Sequence, residues 1–268
     1  MRINTNMNAI TALNQSTKNT ALAGTSMNKL SSGLRINKAG DDAAGLAVSE
    51  KMRAQIRGME QADRNVQDGI SLVQTAEGAL GEAGNIAQRM RELAVQGAND
   101  TLDSGDRAKI NSELKSLGEE MTKIAEETKF NGTSLLSKET TLNIQAGANS
   151  ETRAIKTTNL TSIATAISSL DVKDNVGAQS AIKAIDTALN SINIGRSQMG
   201  VMQNRLEATS STLTTSTENL TAAESRIRDV DVASEMMNLS KLNLLNQAAQ
   251  AMMSQAKSQP EGVMQLLR

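Results

Sequence analysis

The chain has no cysteine, histidine, tryptophan or tyrosine, and only one phenylalanine (Phe130) and one proline (Pro260) in 268 residues. Without Cys and His there is no thiol nucleophile, no disulfide and none of the common zinc ligand sets. With a single aromatic ring there is no platform on which nucleobases stack. A formal net charge of −1 supplies no field to gather polyanions. No apolar run approaches the roughly 18 to 20 residues of a membrane span, so no membrane insertion is expected. The opening "MRINTNMNAITALNQ" lacks the continuous apolar segment of a secretory signal. Ala, Leu, Met, Gln, Glu, Lys and Arg dominate what remains, a helix-forming mixture. A core built from them, without rings, suits slender helical bundles.

The pattern along the chain is mainly helical. Met52, Ile56, Met59, Ala62, Val66, Ile70, Val73, Ala76, Leu80, Ala83, Ala87, Met90 and Ala94 recur at an average spacing of 3.5 residues, the period of a coiled-coil seam. Gly58, Gly69, Gly78, Gly81 and Gly84 interrupt this stretch. Each costs about 1 kcal/mol in an exposed helix interior, which points to close packing against a neighbour. "NDTLDSGDR" reads as a turn and cap before a second helix with Ile110, Leu114, Leu117, Met121 and Ile124 on one face. Asn131-Gly132 stops that helix. "TLNIQ" and "TRAIKT" then alternate in polarity, predicting a small β-hairpin near 140–158. "TSIATAISSLDVKDNVGAQSA" reads as a connector, with Asp174 or Asn175 capping the next helix. From Ile182 through Ile185, Leu189, Ile192, Met199, Met202, Leu206, Leu213, Leu220, Ala223 and Ile227 to Val230 the long seam returns, interrupted at Arg196. Two long helical halves around a short hairpin predict antiparallel coiled-coil pairing of the N- and C-terminal halves.

Both ends are nearly free of charge. Met1 to Asn28 carries only Arg2 and Lys18, and Met236 to Pro260 only Lys241 and Lys257. Ile3, Met7, Ile10 and Leu13 form one apolar stripe, and Leu242, Leu245, Ala249, Met252 and Ala256 form another. One helix pair hides one seam, and Leu244, Ala248, Ala251 and Met253 widen the C-terminal face beyond it. Surplus apolar surface of this kind marks association. Pro260 and Gly262 are expected to end the last helix, leaving "VMQLLR" as a short terminal contact.

No arrangement points to catalysis. Phosphate-cradling glycine motifs are absent, and Asp41 and Asp42 in "AGDDAAG" are adjacent residues suited to capping a helix. "ESRIRDVD" alternates charge in the manner of a salt-bridged helix face, and the basic residues of "KMRAQIRG" and "QRMREL" are interleaved with acids and apolar positions. No enzyme activity, cofactor, metal site or nucleic-acid partner is expected.

"NKLSSGLRINKAGDDAAGLAVSEKMRAQIRG" (28–58) strongly resembles the N-terminal signature of bacterial flagellins. "NRLEATSSTLTTSTENLTAAESRIRDVDVASEM" resembles their C-terminal region, and "GVMQLLR" is similar to their usual ending. The resemblance covers residues 1–135 and 180–268, and "LNIQAGANSETRAI" is similar to the family's hairpin region. It implies a filament-core coiled-coil domain from 1–42 and 229–268, and between them, over 43–228, a helical rod carrying the hairpin. The short stretch between the matched parts implies a minimal form without the variable outer domains of longer members.

The resemblance further implies a self-assembling structural subunit of the extracellular flagellar filament, a helical homopolymer used for motility. Such subunits are exported unfolded by a type III route without a cleaved signal peptide. Implied partners are other copies of the chain, hook-associated junction and cap proteins, and an export chaperone. A further implied partner is the vertebrate flagellin-sensing Toll-like receptor, which reads the stretch resembled by "QRMRELAVQ". Carried over by position, its candidates are Gln88, Arg89 and Leu93, with Glu113 on the neighbouring helix; Met90 stands where the family usually has Val or Ile. The same residues also fit an inter-helix or inter-subunit salt bridge and a packing face. Two other readings share this pattern: a hook–filament junction protein, and a secreted helical adhesin.

Overall fold

A computed structural model describes residues 5–266, with side chains described through Gln259. The element order is α1 (Met7–Ser32), α2 (Ala43–Gly97), α3 (Ser104–Glu127), β1 (Lys129–Phe130), β2 (Thr133–Ser134), β3 (Thr141–Gln145), β4 (Thr152–Lys156), α4 (Leu160–Ser168), α5 (Asn175–Arg228) and α6 (Val232–Leu266). The fold is mainly α with two small antiparallel hairpins, of which the periodicity predicts one, β3/β4. The chain packs as two compact units, one from residues 1–54 with 219–268 and one from 55–218. The boundaries implied at 42/43 and 228/229 fall at the start of α2 and the end of α5.

In the second unit α2 and α5 run antiparallel. Asp63 accepts the Ser210 hydroxyl at 2.6 Å, and Arg91 Nε lies 2.6 Å from Asp186 Oδ1. Along this seam Val66, Val73, Ala76, Leu80, Ala83, Ala87, Met90 and Ala94 of α2 and Ile185, Ile192, Met199 and Leu206 of α5 are all buried. The seam passes Arg196 by way of Gly195, where a Cβ would sit 2.6 Å from Thr158 Oγ1 and 3.4 Å from Leu80 Cδ1.

The β3/β4 hairpin pairs Thr141 with Lys156 through to Gln145 with Thr152 and lies on α2. A Cβ at Gly58 would stand 2.9 Å from the Ala148 Cβ, and one at Gly69 3.2 Å from Ile144. These two glycines therefore mark close packing. Gly78 and Gly81 do not, since nothing lies within 4 Å of a Cβ at either.

Three local features differ from the sequence reading. Asn131 (φ 47°) and Gly132 (φ 79°) form the expected turn, but it also closes a two-residue hairpin, β1/β2. Primed turns of this kind match the twist of paired strands. Within the supposed connector, Leu160–Ser168 is a helix, α4, capped by the Asn159 side chain accepting the Ser162 N–H. Leu160, Ala164 and Ile167 bury one face of it, and α4 packs on α3, where a Cβ at Gly118 would meet Ser168 at 3.0 Å. On α3 the buried face is Ile110, Asn111, Leu114, Gly118, Met121 and Ala125, leaving Leu117 and Ile124 half-buried. Asp174, the first of the two expected caps, accepts the Gly177 N–H at 2.7 Å.

The glycines separate two effects. Gly58→Ala should lower the thermal midpoint, by about 1–3 kcal/mol of overpacking against the hairpin. Gly78→Ala should raise it by stabilising the fold by about 1 kcal/mol, since only helix propensity changes there. Thermal melts followed by circular dichroism check both.

Candidate self-assembly surface

In the first unit α1 and α6 lie antiparallel, but not through the stripes that the sequence makes most visible. The inward positions of α1 are Ala9, Ala12, Ser16, Asn19, Ala23, Ser26 and Leu30, alternating three and four residues apart. On α6 they are Glu235, Leu239, Leu242, Asn246, Ala249, Met253 and Ala256, with the same alternation. This is heptad packing with mostly small side chains on α1. Asn19 and Ser26 are buried in it. Polar ties fix its register: the Ser16 hydroxyl donates to Asn246 Oδ1 at 3.1 Å, and Asn246 Nδ2 donates to Thr20 Oγ1 at 3.0 Å.

Small inward residues leave the large ones outside. Of the stripe residues named from sequence, Leu242, Ala249 and Ala256 are buried in the seam, whereas Met7, Ile10, Leu13, Leu245 and Met252 are exposed, Met7 and Met252 by more than 60 %. Ile3 lies outside the described residues. Among described residues, the large exposed apolar side chains number twelve in this unit and four in the other. A groove of about 550 Å³ follows the α1/α6 junction, with Ala12, Gln15, Leu245, Ala248 and Met252 in its wall. Sequence periodicity missed the seam because alanine, serine and asparagine do not register as an apolar stripe. The alternating three-and-four spacing from Ala9 to Leu30 is the signal that finds it.

The pair closes at its inner end through a backbone crossing. Gly33 takes the left-handed conformation (φ 72°) that ends α1. Its carbonyl accepts the Val230 N–H at 3.0 Å, while the Arg35 N–H donates to Arg228 O and Arg35 Nη2 to Ile227 O, both at 2.6 Å. Arg228 Nη1 reaches Glu50 Oε1 at 2.6 Å, so "ESRIRDVD" contributes ion pairs and a cap: Asp231 Oδ1 accepts the Ala233 N–H that opens α6. Asp42 Oδ1 caps α2 through the Gly45 N–H at 2.9 Å. Asp41 Oδ2 accepts the backbone N–H groups of Lys38 (2.9 Å) and Asn37 (3.1 Å). These bonds, Lys38 foremost, hold its carboxyl below the ordinary value of 3.8.

The receptor candidates are in the second unit. Arg89 bridges two helices, with Nη1 3.1 Å from Glu92 Oε2 and Nη2 3.1 Å from Glu113 Oε1 on α3. The Glu92 hydrogen bond and then the Glu113 one raise its guanidinium above its ordinary value. Gln88, Arg89 and Glu113 are exposed, whereas Leu93 is 2 % exposed and belongs to the helix-packing core.

Paired termini of very low charge with their large apolar residues turned outward define a class of subunit made to associate with neighbours. Similarity to known proteins identifies the class. Residues 3–141 match the bacterial flagellin N-terminal helical region and residues 182–267 the bacterial flagellin C-terminal helical region. A flagellin of Halalkalibacterium halodurans is 54 % identical over the full length of both chains, and one of Bacillus subtilis 46 % identical, also over the full length of both. The flagellar filament 33 kDa core protein of Treponema phagedenis is 43 % identical over the full length of both. A solved Bacillus cereus flagellin shares 34 % identity at a TM-score of 0.52, covering 60 % of this chain and 94 % of that one. The chain belongs to the bacterial flagellin family and is a filament subunit. It is a short form that lacks the family's variable domain.

The Asp41 geometry has an acid signature. A depressed carboxyl stabilises the fold above its unfolded pKa, and that contribution is lost as pH falls through the depressed value. Amide exchange at Asn37 and Lys38 should therefore stay protected at neutral pH and lose protection only as pH falls below the ordinary carboxyl value of 3.8. In Asp41→Asn the neutral side chain should remove that pH dependence.

Proposed function

We propose that this chain builds the flagellar filament by burying the outward faces of α1 and α6 against other copies of itself. The observation that carries the reading is the concentration of large exposed apolar side chains in the α1/α6 unit, on helices with almost no charge to oppose association. Burying one Leu or Met side chain contributes about 1.5–3 kcal/mol before the costs of association. Identical contacts repeated head to tail propagate as an open helix where the rotation between copies does not close a ring. The groove along the α1/α6 junction suits an apolar ridge from a neighbouring copy.

The filament is extracellular and the subunit non-catalytic in this reading. It reaches its site by export as an unfolded chain, with an export chaperone among its partners. Hook-associated junction and cap proteins flank the polymer. A vertebrate flagellin-sensing Toll-like receptor reads the Gln88, Arg89 and Glu113 surface, with Leu93 supporting it from beneath. A hook–filament junction role is the alternative. A solved putative flagellar hook-associated protein from Vibrio parahaemolyticus covers 70 % of this chain and all of its own, with a TM-score of 0.60. At 13 % identity that likeness is one of fold.

Electron microscopy after salting out decides between these readings. Long tubes are expected; short collars would favour the junction role, and monodisperse particles would remove both. Deleting 242–268 should abolish tubes while the helical signal of α2 to α5 persists. Leu245→Asp and Ile10→Asp should each raise the subunit concentration needed for polymerisation by at least about ten-fold, since a carboxylate would be buried without a partner.

A further inference from the structure

A proline inside a helix has no N–H to give to the carbonyl four residues earlier, and its ring crowds that carbonyl. Sequence alone marks Pro260 as the end of α6. Instead α6 continues to Leu266, so the Ala256 carbonyl lacks the N–H that would ordinarily meet it from four residues on. That carbonyl is not left unpaired: Asn6, across the seam, donates to it from Nδ2 at 2.6 Å. The other end of the same amide accepts the Ala9 N–H at 3.1 Å and caps α1.

We infer that Asn6 is a positioning residue that supplies, from the opposite helix, the hydrogen bond Pro260 removes, so that α6 extends past its proline only when paired in register with α1. The inference rests on the α1/α6 pairing that the assembly reading uses. Asn, Asp and Ser cap helices about equally well. Asparagine alone of the three offers an amide donor beside the capping oxygen. The lone proline sits at the one place where the partner helix begins with such a group. Unpaired, the chain carries a helix break at its end; paired, the break is repaired by the cap of the opposite helix. The tip of α6 is thereby coupled to correct docking of α1 and not to helix propensity.

The test is a two-by-two set: the wild-type chain, Asn6→Ser, Pro260→Ala and the double variant. Serine keeps the cap but is too short to reach α6, and alanine restores the missing N–H. Two readouts are taken, the subunit concentration at which tubes form and the hydrogen-exchange protection of the amides from Glu261 to Leu266. Asn6→Ser should raise the threshold and cut the protection by about ten-fold each, the scale of one buried hydrogen bond. Pro260→Ala alone should leave the threshold unchanged or lower, and the double variant should return to within about two-fold of it. A loss from Asn6→Ser that is the same with and without Pro260→Ala would make the role of Asn6 independent of the proline and overturn the inference, while leaving the assembly reading intact. If the wild-type chain forms no tubes, the assembly reading fails. The exchange data then decide the inference: protection that Asn6→Ser removes and Pro260→Ala restores upholds it, and an unprotected wild-type tip overturns it.

Discussion

Close backbone approach, admitted by small residues, is the constraint on which both units depend. In one, α1 presents alanines, serines and an asparagine to α6. In the other, Gly58 and Gly69 admit the hairpin against α2, and Gly195 admits Thr158. With no Trp or Tyr and one Phe, nothing holds the helices further apart. The dispersion and burial that a ring would supply are replaced by backbone proximity over a great length. Narrow seams have a corollary: the bulky Met, Leu and Ile side chains of the terminal helices must go elsewhere, and they go outward. The same choice that fits α1 to α6 leaves the pair unfinished.

Much of this was legible in the sequence. The 3.5-residue recurrence located α2 and α5, strand alternation located β3 and, to within one residue, β4, and the caps at Asp42 and Asp174 followed from residue type and position. What escaped did so for physical reasons. A seam of small or polar residues carries no hydropathy signal, so Met7, Ile10 and Leu13 drew attention while the inward Ala9, Ala12 and Ser16 did not. Helix α4 was hidden because Thr and Ser weaken helix propensity, and only burial of Leu160, Ala164 and Ile167 against α3 selects it. The continuation through Pro260 depends on an atom contributed from the far end of the chain. Local sequence cannot report such a contact.

Ion pairs join helices in both units, but among the described residues none joins α1 to α6. The second unit uses ion pairs between helices, such as Arg91 with Asp186 and Arg89 with Glu113. It also carries a run of helical hydroxyls, Thr209, Thr212, Thr214 and Thr215, each donating to the carbonyl four residues back. Between α1 and α6 the ties are amides and hydroxyls instead. Neutral groups can be covered by further protein at far lower desolvation cost than charges. An ion pair placed there would resist being taken out of water, which is the environment a subunit core must leave.

Asn246 has a consequence for error. A smooth antiparallel seam of small residues could slide by one heptad with little steric penalty. In the observed frame Asn246 meets Ser16 and Thr20. Shifted by seven residues either way it would face Ala9 and Leu13, or Ala23 and Met27, none of which can answer an amide. One asparagine thus acts as a frame marker, making the two misaligned docks distinguishable from the correct one by an unsatisfied polar group. In a polymer of many copies, where a misthreaded subunit would be locked in by its successors, such proofreading has to be complete before the next copy arrives.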